Sequence, residues 1–241
     1  SDEGITIPPI GSYLYPAGET LLITSIPSPG YKLAWFTTKG NSILADTIRV
    51  TLNQDLEIYV AFIEKVDDSA NRIELVSIPS GSFNMGDEIG DLPSNCRPVH
   101  QININGFSMS DTEITNGQCC VLLNNALLTG DIKITDMVVY GTKGIYINQP
   151  LLEFDNIYIS YYYGIFSCSQ SYNDYPVTDV SWYGAKVLAE CSGYDLPTEA
   201  EWEYACRGGN QYKYGTVDGT ITSGNANILW NRLPKQVKSY P

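Results

Sequence analysis

The chain has 241 residues and a formal net charge of −13, from 14 Lys and Arg against 27 Asp and Glu. That acidity opposes phosphate backbones and anionic lipid surfaces and so argues against nucleic-acid binding, and no apolar run reaches the length of a membrane span. The length suffices for one large or two smaller domains with their own cores, and 18 Tyr with only 17% charged residues fit a β-rich extracellular protein better than a helical cytosolic one.

Ser1–Gly4 reads as the flexible start of a processed, exported chain whose signal segment lies upstream. The expectation is a bacterial protein of the cell surface or periplasm, with a lipidated Cys ahead of Ser1. Residues 1–65 then read as a small all-β domain. Leu21–Thr24, Tyr31–Phe36, Thr47–Leu52 and Leu56–Phe62 are short apolar or alternating runs. Turn residues separate them at Pro16-Ala17-Gly18, Pro29-Gly30, Lys39-Gly40-Asn41 and Asn53-Gln54. The order Tyr15-Pro16-Ala17-Gly18, Pro29-Gly30-Tyr31, Trp35, Val60-Ala61-Phe62 resembles a bacterial surface repeat of the internalin B-repeat type, which implies a spacer or adhesive stalk. Residues 66–71 have the polarity of a linker.

Residues 72–241 carry a different pattern. Val76–Gly86 reads as a strand and turn, Pro98-Val99-His100 with Phe107 as the strands that follow, and Glu113-Ile114-Thr115-Asn116 as the start of a helix running to Asn125. In Tyr161-Tyr162-Tyr163 the aromatic faces suit stacking on a carbohydrate, while alternation along Ile157–Tyr161 sends half of that stretch into a core. Ser181 is placed to cap a second helix. Thr198-x-x-Glu201 is a capping box for a third, with Gly193 as a left-handed stop and Pro197 as a rigid re-entry between them. Trp182, Leu188, Trp202 and Ala205 are expected to face the core.

These motifs together, PVTDVSW and LPTEAEWEYACRGG after IPSGSFNMG and EITN, resemble the formylglycine-generating enzyme or sulfatase-modifying factor family. The resemblance implies an α+β chain: a small N-terminal all-β domain, then a C-type-lectin-like domain with much irregular structure. It also implies calcium near Asn227 and Ile228, although 225–241 holds no Asp or Glu to complete such a site. In the family's enzymes a copper-binding cysteine pair oxidises a substrate cysteine to formylglycine. That pair belongs to a part of the domain beyond the last residues here, and this chain has no Cys after Cys206. No catalytic residue is therefore assigned, and copper enters only if a C-terminal catalytic part exists.

His100 is the only histidine, which excludes a His-rich metal site and favours a strand-end role. Asp179, Glu199, Glu201 and Glu203 suggest acid–base chemistry as a group, but the last three sit where a helix N-terminus attracts them. Of the six cysteines, Cys191 and Cys206 are the expected close pair, and Cys119 and Cys120 point to different faces of one helix. Two functions follow: a non-catalytic scaffold that binds a protein or carbohydrate ligand at the cell surface, or a formylglycine-generating oxidase. The expected assembly is a homodimer or association with a C-terminal fragment, closing over core surface and strand edges that Trp182, Trp202 and Trp230 would otherwise help to cover. Limited proteolysis should cut between Lys65 and Arg72; cleavage confined to residues 72–241 would refute a two-domain chain.

Overall fold

The structure is a computed structural model and describes residues 4–29, 31–37, 42–43, 47–64, 72–91, 93–153, 158–162, 165–228 and 233–240. The chain divides into two compact units, Ser1–Asn71 with Ile159–Ser167, and Arg72–Tyr158 with Cys168–Pro241. Residues 159–167 thus fall with the first unit. The proposed linker, Tyr163 and Trp230 lie outside the described residues.

The first unit is built from β1 (Gly4–Ile7), β2 (Thr20–Pro27), β3 (Tyr31–Thr37), β4 (Ser42–Ile43), β5 (Thr47–Thr51) and β6 (Ile58–Glu64). They form two three-stranded antiparallel sheets, ordered β1-β2-β5 and β4-β3-β6. Side-chain alternation along β5 turns Ile48 inward, where it packs against Ile23, Val50, Ile58, Val60 and Phe62. On the outer face the directly opposed pairs Thr20–Thr51 and Thr24–Thr47 join hydroxyls at 3.0 and 3.2 Å, which fixes the β2–β5 register. A Cβ at Gly4 would lie 2.4 Å from the Phe62 ring, so the first strand must start on a glycine to reach this core.

In the second unit, β7 (Leu75–Ile78) pairs with β10 (Phe107–Ser110), and β8 (Gly81–Met85) with β9 (His100–Ile104). Helix α1 (Asn116–Leu128) follows, then a three-stranded sheet of β11 (Ile132–Thr135), β12 (Val138–Gly141) and β13 (Pro150–Glu153). The β11–β12 hairpin turns on Asp136 and Met137, both at positive φ (49° and 61°), as a tight two-residue turn requires. The strands β14 (Ile159–Tyr162) and β15 (Ile165–Cys168), which fall with the first unit as far as Ser167, pair with each other. Helices α2 (Trp182–Cys191) and α3 (Glu199–Arg207) complete the regular structure, and the described residues from 208 to 240 run as turns and irregular chain. Among the described residues no helix is long and apolar enough to cross a membrane.

All three helices begin where the sequence places their caps. Thr115, Ser181 and Thr198 each accept a backbone N–H with the side-chain hydroxyl, and both Thr115/Gln118 and Thr198/Glu201 close reciprocal capping boxes. Gly193 follows α2 at φ 77°. The facing of the helices is less simple. Leu188 is buried and Ala205 half-buried, but Trp182 and Trp202 are 58% and 55% exposed, contrary to expectation. In α3 the ring of Tyr204 packs on Phe83 at 5.4 Å, and a residue two positions away on a helix points to nearly the opposite side, so Trp202 faces out. Trp182 opens α2 and stacks edge-on with Tyr183 instead.

Helix α2 is fastened to β13. Ser181 donates its N–H to Leu151 O (3.0 Å) and its hydroxyl to Pro150 O (2.8 Å). Gly184 then lies so close to the strand that a Cβ would sit 2.3 Å from Leu151 O. Gly184→Ala should therefore destabilise the chain by about 1–3 kcal/mol from overpacking, despite the higher helix propensity of alanine. Urea unfolding measures this, and a neutral or stabilised variant would refute the contact.

Candidate functional site

An apolar cavity of about 400 Å³ opens in the second unit. The β7–β10 pair supplies one wall with Leu75, Phe107 and Met109; α1 adds Cys119 and Leu122; α2 adds Ala185, Leu188 and Ala189. Tyr194, Asp195 and Pro197 close it from the α2–α3 connection, and Glu201 from α3. Of the three helix starts in this unit, Ser181 is bonded to β13, while Thr115 and Thr198 close caps within their own helices.

The carboxylates around this space are already engaged. Glu201 Oε2 accepts from both the N–H and the hydroxyl of Thr198, each at 2.8 Å. Asp195 accepts from the ammonium of Lys186 and from Leu196 N–H (2.6 Å). The lysine, followed by the backbone donor, holds the Asp195 carboxyl below its usual range, and Asp195 with Glu190 holds Lys186 above its own. Cys119 is the one thiol in the lining. Burial first, then the neighbouring Cys168, push it up to about 12.

A second polar cluster sets the position of α3. Glu203 Oε1 accepts from Gly86 N–H (3.0 Å) and from Nε and Nη2 of Arg207 (2.9 and 2.7 Å), while Arg207 Nη2 also donates to Gly86 O (3.0 Å). Glu203 is thus the partner of Arg207 and of the β8 turn, not a helix-start carboxylate as its position near the N-terminus of α3 suggests. Behind it, Gly81 leaves room for Tyr204, whose hydroxyl would lie 2.3 Å from a Cβ there.

The sequence-predicted sites are scattered. Tyr161 is half-buried with its ring 4.8 Å from Phe166; Tyr162 lies in β14, and Tyr163 is outside the described residues. Asn227 is exposed and donates Nδ2 to Leu233 O at 3.2 Å, and Ile228 is half-buried beside it. No group of three His, Cys, Asp or Glu side chains able to hold a metal occurs among the described residues. His100 sits on β9 with Nδ1 3.0 Å from Pro98 O, and Asp179 accepts from the Thr178 hydroxyl at 2.8 Å. All six cysteines are free. The expected Cys191–Cys206 pair is not made: Cys191 is hydrogen-bonded to Asp131, and Cys206 lies against Gly215. The thiols that do meet are Cys120 and Cys168, on segments far apart in sequence with no local motif to announce them.

The family described as sulfatase-modifying factor enzyme 1-like domain matches residues 63–240. A formylglycine-generating enzyme of Streptomyces coelicolor is 30% identical over 183 residues, which cover 66% of this chain and 56% of that protein. The serine/threonine-protein kinase pkn1 of Chlamydia pneumoniae is 30% identical over 142 residues, covering 56% of this chain and 19% of the kinase. The chain thus spans little more than half the length of the first relative and a fifth of the second. Among solved structures, PvdO from Pseudomonas aeruginosa aligns with a TM-score of 0.44 at 22% identity, covering 72% of this chain and 65% of that one.

Burial disfavours the charged thiolate, so Cys119 stays protonated until the pH approaches about 12. At pH 8 its thiolate fraction is on the order of 10⁻⁴. Native alkylation with iodoacetamide should label the exposed Cys206 and leave Cys119 untouched until the chain is unfolded. Peptide mapping by mass spectrometry reads this, and early labelling of Cys119 would show the cavity thiol to be reactive.

Proposed function

We propose, because this chain belongs to the sulfatase-modifying factor enzyme 1-like family, that its second unit uses that scaffold to bind a protein ligand, with an apolar side chain seated in the cavity between β10, α1 and α2. The observation that carries this reading is the cavity itself. Its walls are mostly Leu, Ile, Val, Phe and Met side chains, its carboxylates are engaged, and its one thiol is held as the unreactive acid. Such a space favours an apolar group, whose burial there asks for no exchange of the engaged carboxylates. The match to a segment of a protein named as a kinase supports a scaffold that accompanies other activities.

The metals that the family suggests do not suit the residues present. Copper(I) takes soft thiolate ligands, and the cavity offers only the protonated Cys119. Calcium takes several oxygen ligands, while Asn227 uses its amide as a donor to Leu233 and no carboxylate stands between 225 and 240. At the level of the whole protein, we read the chain as exported and displayed at a bacterial surface. The first unit serves there as a spacer.

A second reading, a formylglycine-generating oxidase, is favoured by the similarity to the Streptomyces coelicolor enzyme. Two measurements separate them. Incubation with copper(I), oxygen and a sulfatase-type cysteine peptide should leave the peptide mass unchanged; turnover would establish the oxidase. The fluorescent apolar probe 1-anilinonaphthalene-8-sulfonate should bind, and Ala189→Trp, which fills the cavity from α2, should weaken that binding by about tenfold. Unchanged probe affinity in the variant would remove the cavity from the reading.

A further inference from the structure

We propose that Cys120 and Cys168 form a disulfide site, a thiol pair that closes into a cystine on exchange with a small-molecule disulfide such as oxidised glutathione. The placement follows from hydrogen bonds that have nothing to do with sulfur. Asn116 and Cys120 are one helical turn apart and share a face of α1. On that face Asn116 Nδ2 donates to Tyr172 O (3.0 Å), and Gly117 N–H donates to Asn173 O (3.0 Å). Cys168 stands just before this segment, its thiol donating to Asn173 Oδ1 at 3.7 Å. The same stitching that fixes the start of α1 therefore brings Cys168 against Cys120, and the two thiols are hydrogen-bonded to each other.

The two sulfurs are not equivalent. Cys120 is buried, and its thiol is pushed up by the bond to Cys168 and by burial; the bond received from Cys120 pulls Cys168 down. Cys168 is also the half-buried member that an oxidant reaches. Cys168 thiolate attacks one sulfur of oxidised glutathione, forms a mixed disulfide and expels one glutathione thiolate. Cys120 then gives up its proton and attacks Cys168 Sγ, forming the protein disulfide and expelling the second glutathione, which takes that proton. Two protein thiols are oxidised and one glutathione disulfide is reduced to two thiols. The four remaining cysteines lie elsewhere: Cys96 is in the Ser94–Cys96 turn, Cys119 lines the cavity, Cys191 is held by Asp131, and Cys206 is exposed.

Closing a loop of about 50 residues constrains the unfolded chain and should raise Tm by roughly 5 °C or more. The experiment is a titration of the whole chain with oxidised glutathione, followed by thiol counting under denaturing conditions and peptide mapping. The expected result is loss of two of the six thiols and a cross-linked peptide joining Cys120 to Cys168, with Cys119→Ala behaving as the parent. Cys120→Ala should stop at a glutathione adduct on Cys168. An unchanged thiol count, a lasting Cys168 adduct in the parent chain, or a cross-link through any other cysteine would overturn the proposal. The mapping is done on the parent chain and does not depend on how well a variant folds.

Discussion

An α-helix leaves its first N–H groups without acceptors of its own, and where those donors go in α1 decides how the second unit is assembled. Asn116 N–H reaches Tyr175 O at 2.8 Å, and Gly117 N–H reaches Asn173 O. Ile114 O accepts from Val177 N–H at 2.9 Å, and Thr115 forms a bridge with Pro176. Thr115 and Gln118 satisfy each other within the capping box. A helix buried along most of its length can solve the problem only with fixed partners, since water does not reach its first turn. The 172–177 segment supplies them, and so is pinned to α1 across nearly sixty positions of chain.

From that pin the rest of the unit follows in order. Val177 and Val180 leave it as cavity wall, Ser181 locks onto β13, and α2 proceeds with Gly184 pressed on the strand. Helix α3 is held at its other side by Glu203, Arg207 and the Gly86 turn of β8, with Tyr204 on Phe83 beneath. Helix starts tied by polar contacts at different places leave an apolar interval between them. Asn116 shows the cost of this arrangement: it is fully buried, and its Oδ1 accepts no hydrogen bond among the described residues, a loss on the order of 1–3 kcal/mol. The Nδ2 bond to Tyr172 keeps it in place.

Local chemistry was legible in the sequence and facing was not. The caps at Thr115, Ser181 and Thr198 depend only on residues within one turn, so their hydroxyls and the Glu201 carboxylate announce them. The direction in which α3 turns depends on Phe83, over a hundred residues upstream, and hydrophobicity alone ranked Trp202 above Tyr204 for the inner position. The β11–β12 turn escaped notice because Asp136-Met137 lacks the glycine that usually marks such turns. The cysteines failed for the same reason as the tryptophans: Cys191 and Cys206 are neighbours in pattern, whereas Cys120 and Cys168 are neighbours in space. The cavity has no sequence mark, because its walls come from segments far apart in the chain.

Those anchors also bear on the apolar side chain proposed for the cavity. A polar ligand that took the Glu201 carboxylate would withdraw that group from Thr198, which costs the α3 cap, about 1 kcal/mol, and leaves the Thr198 N–H to find water. One that took Asp195 would do so at the expense of the Lys186 pair and the Leu196 N–H bond. An apolar group asks for neither exchange and gains from every contact with Phe107, Met109 and Leu188. The apolar preference proposed for the cavity is thus a consequence of how the helix ends are satisfied, and it requires no residue dedicated to recognition.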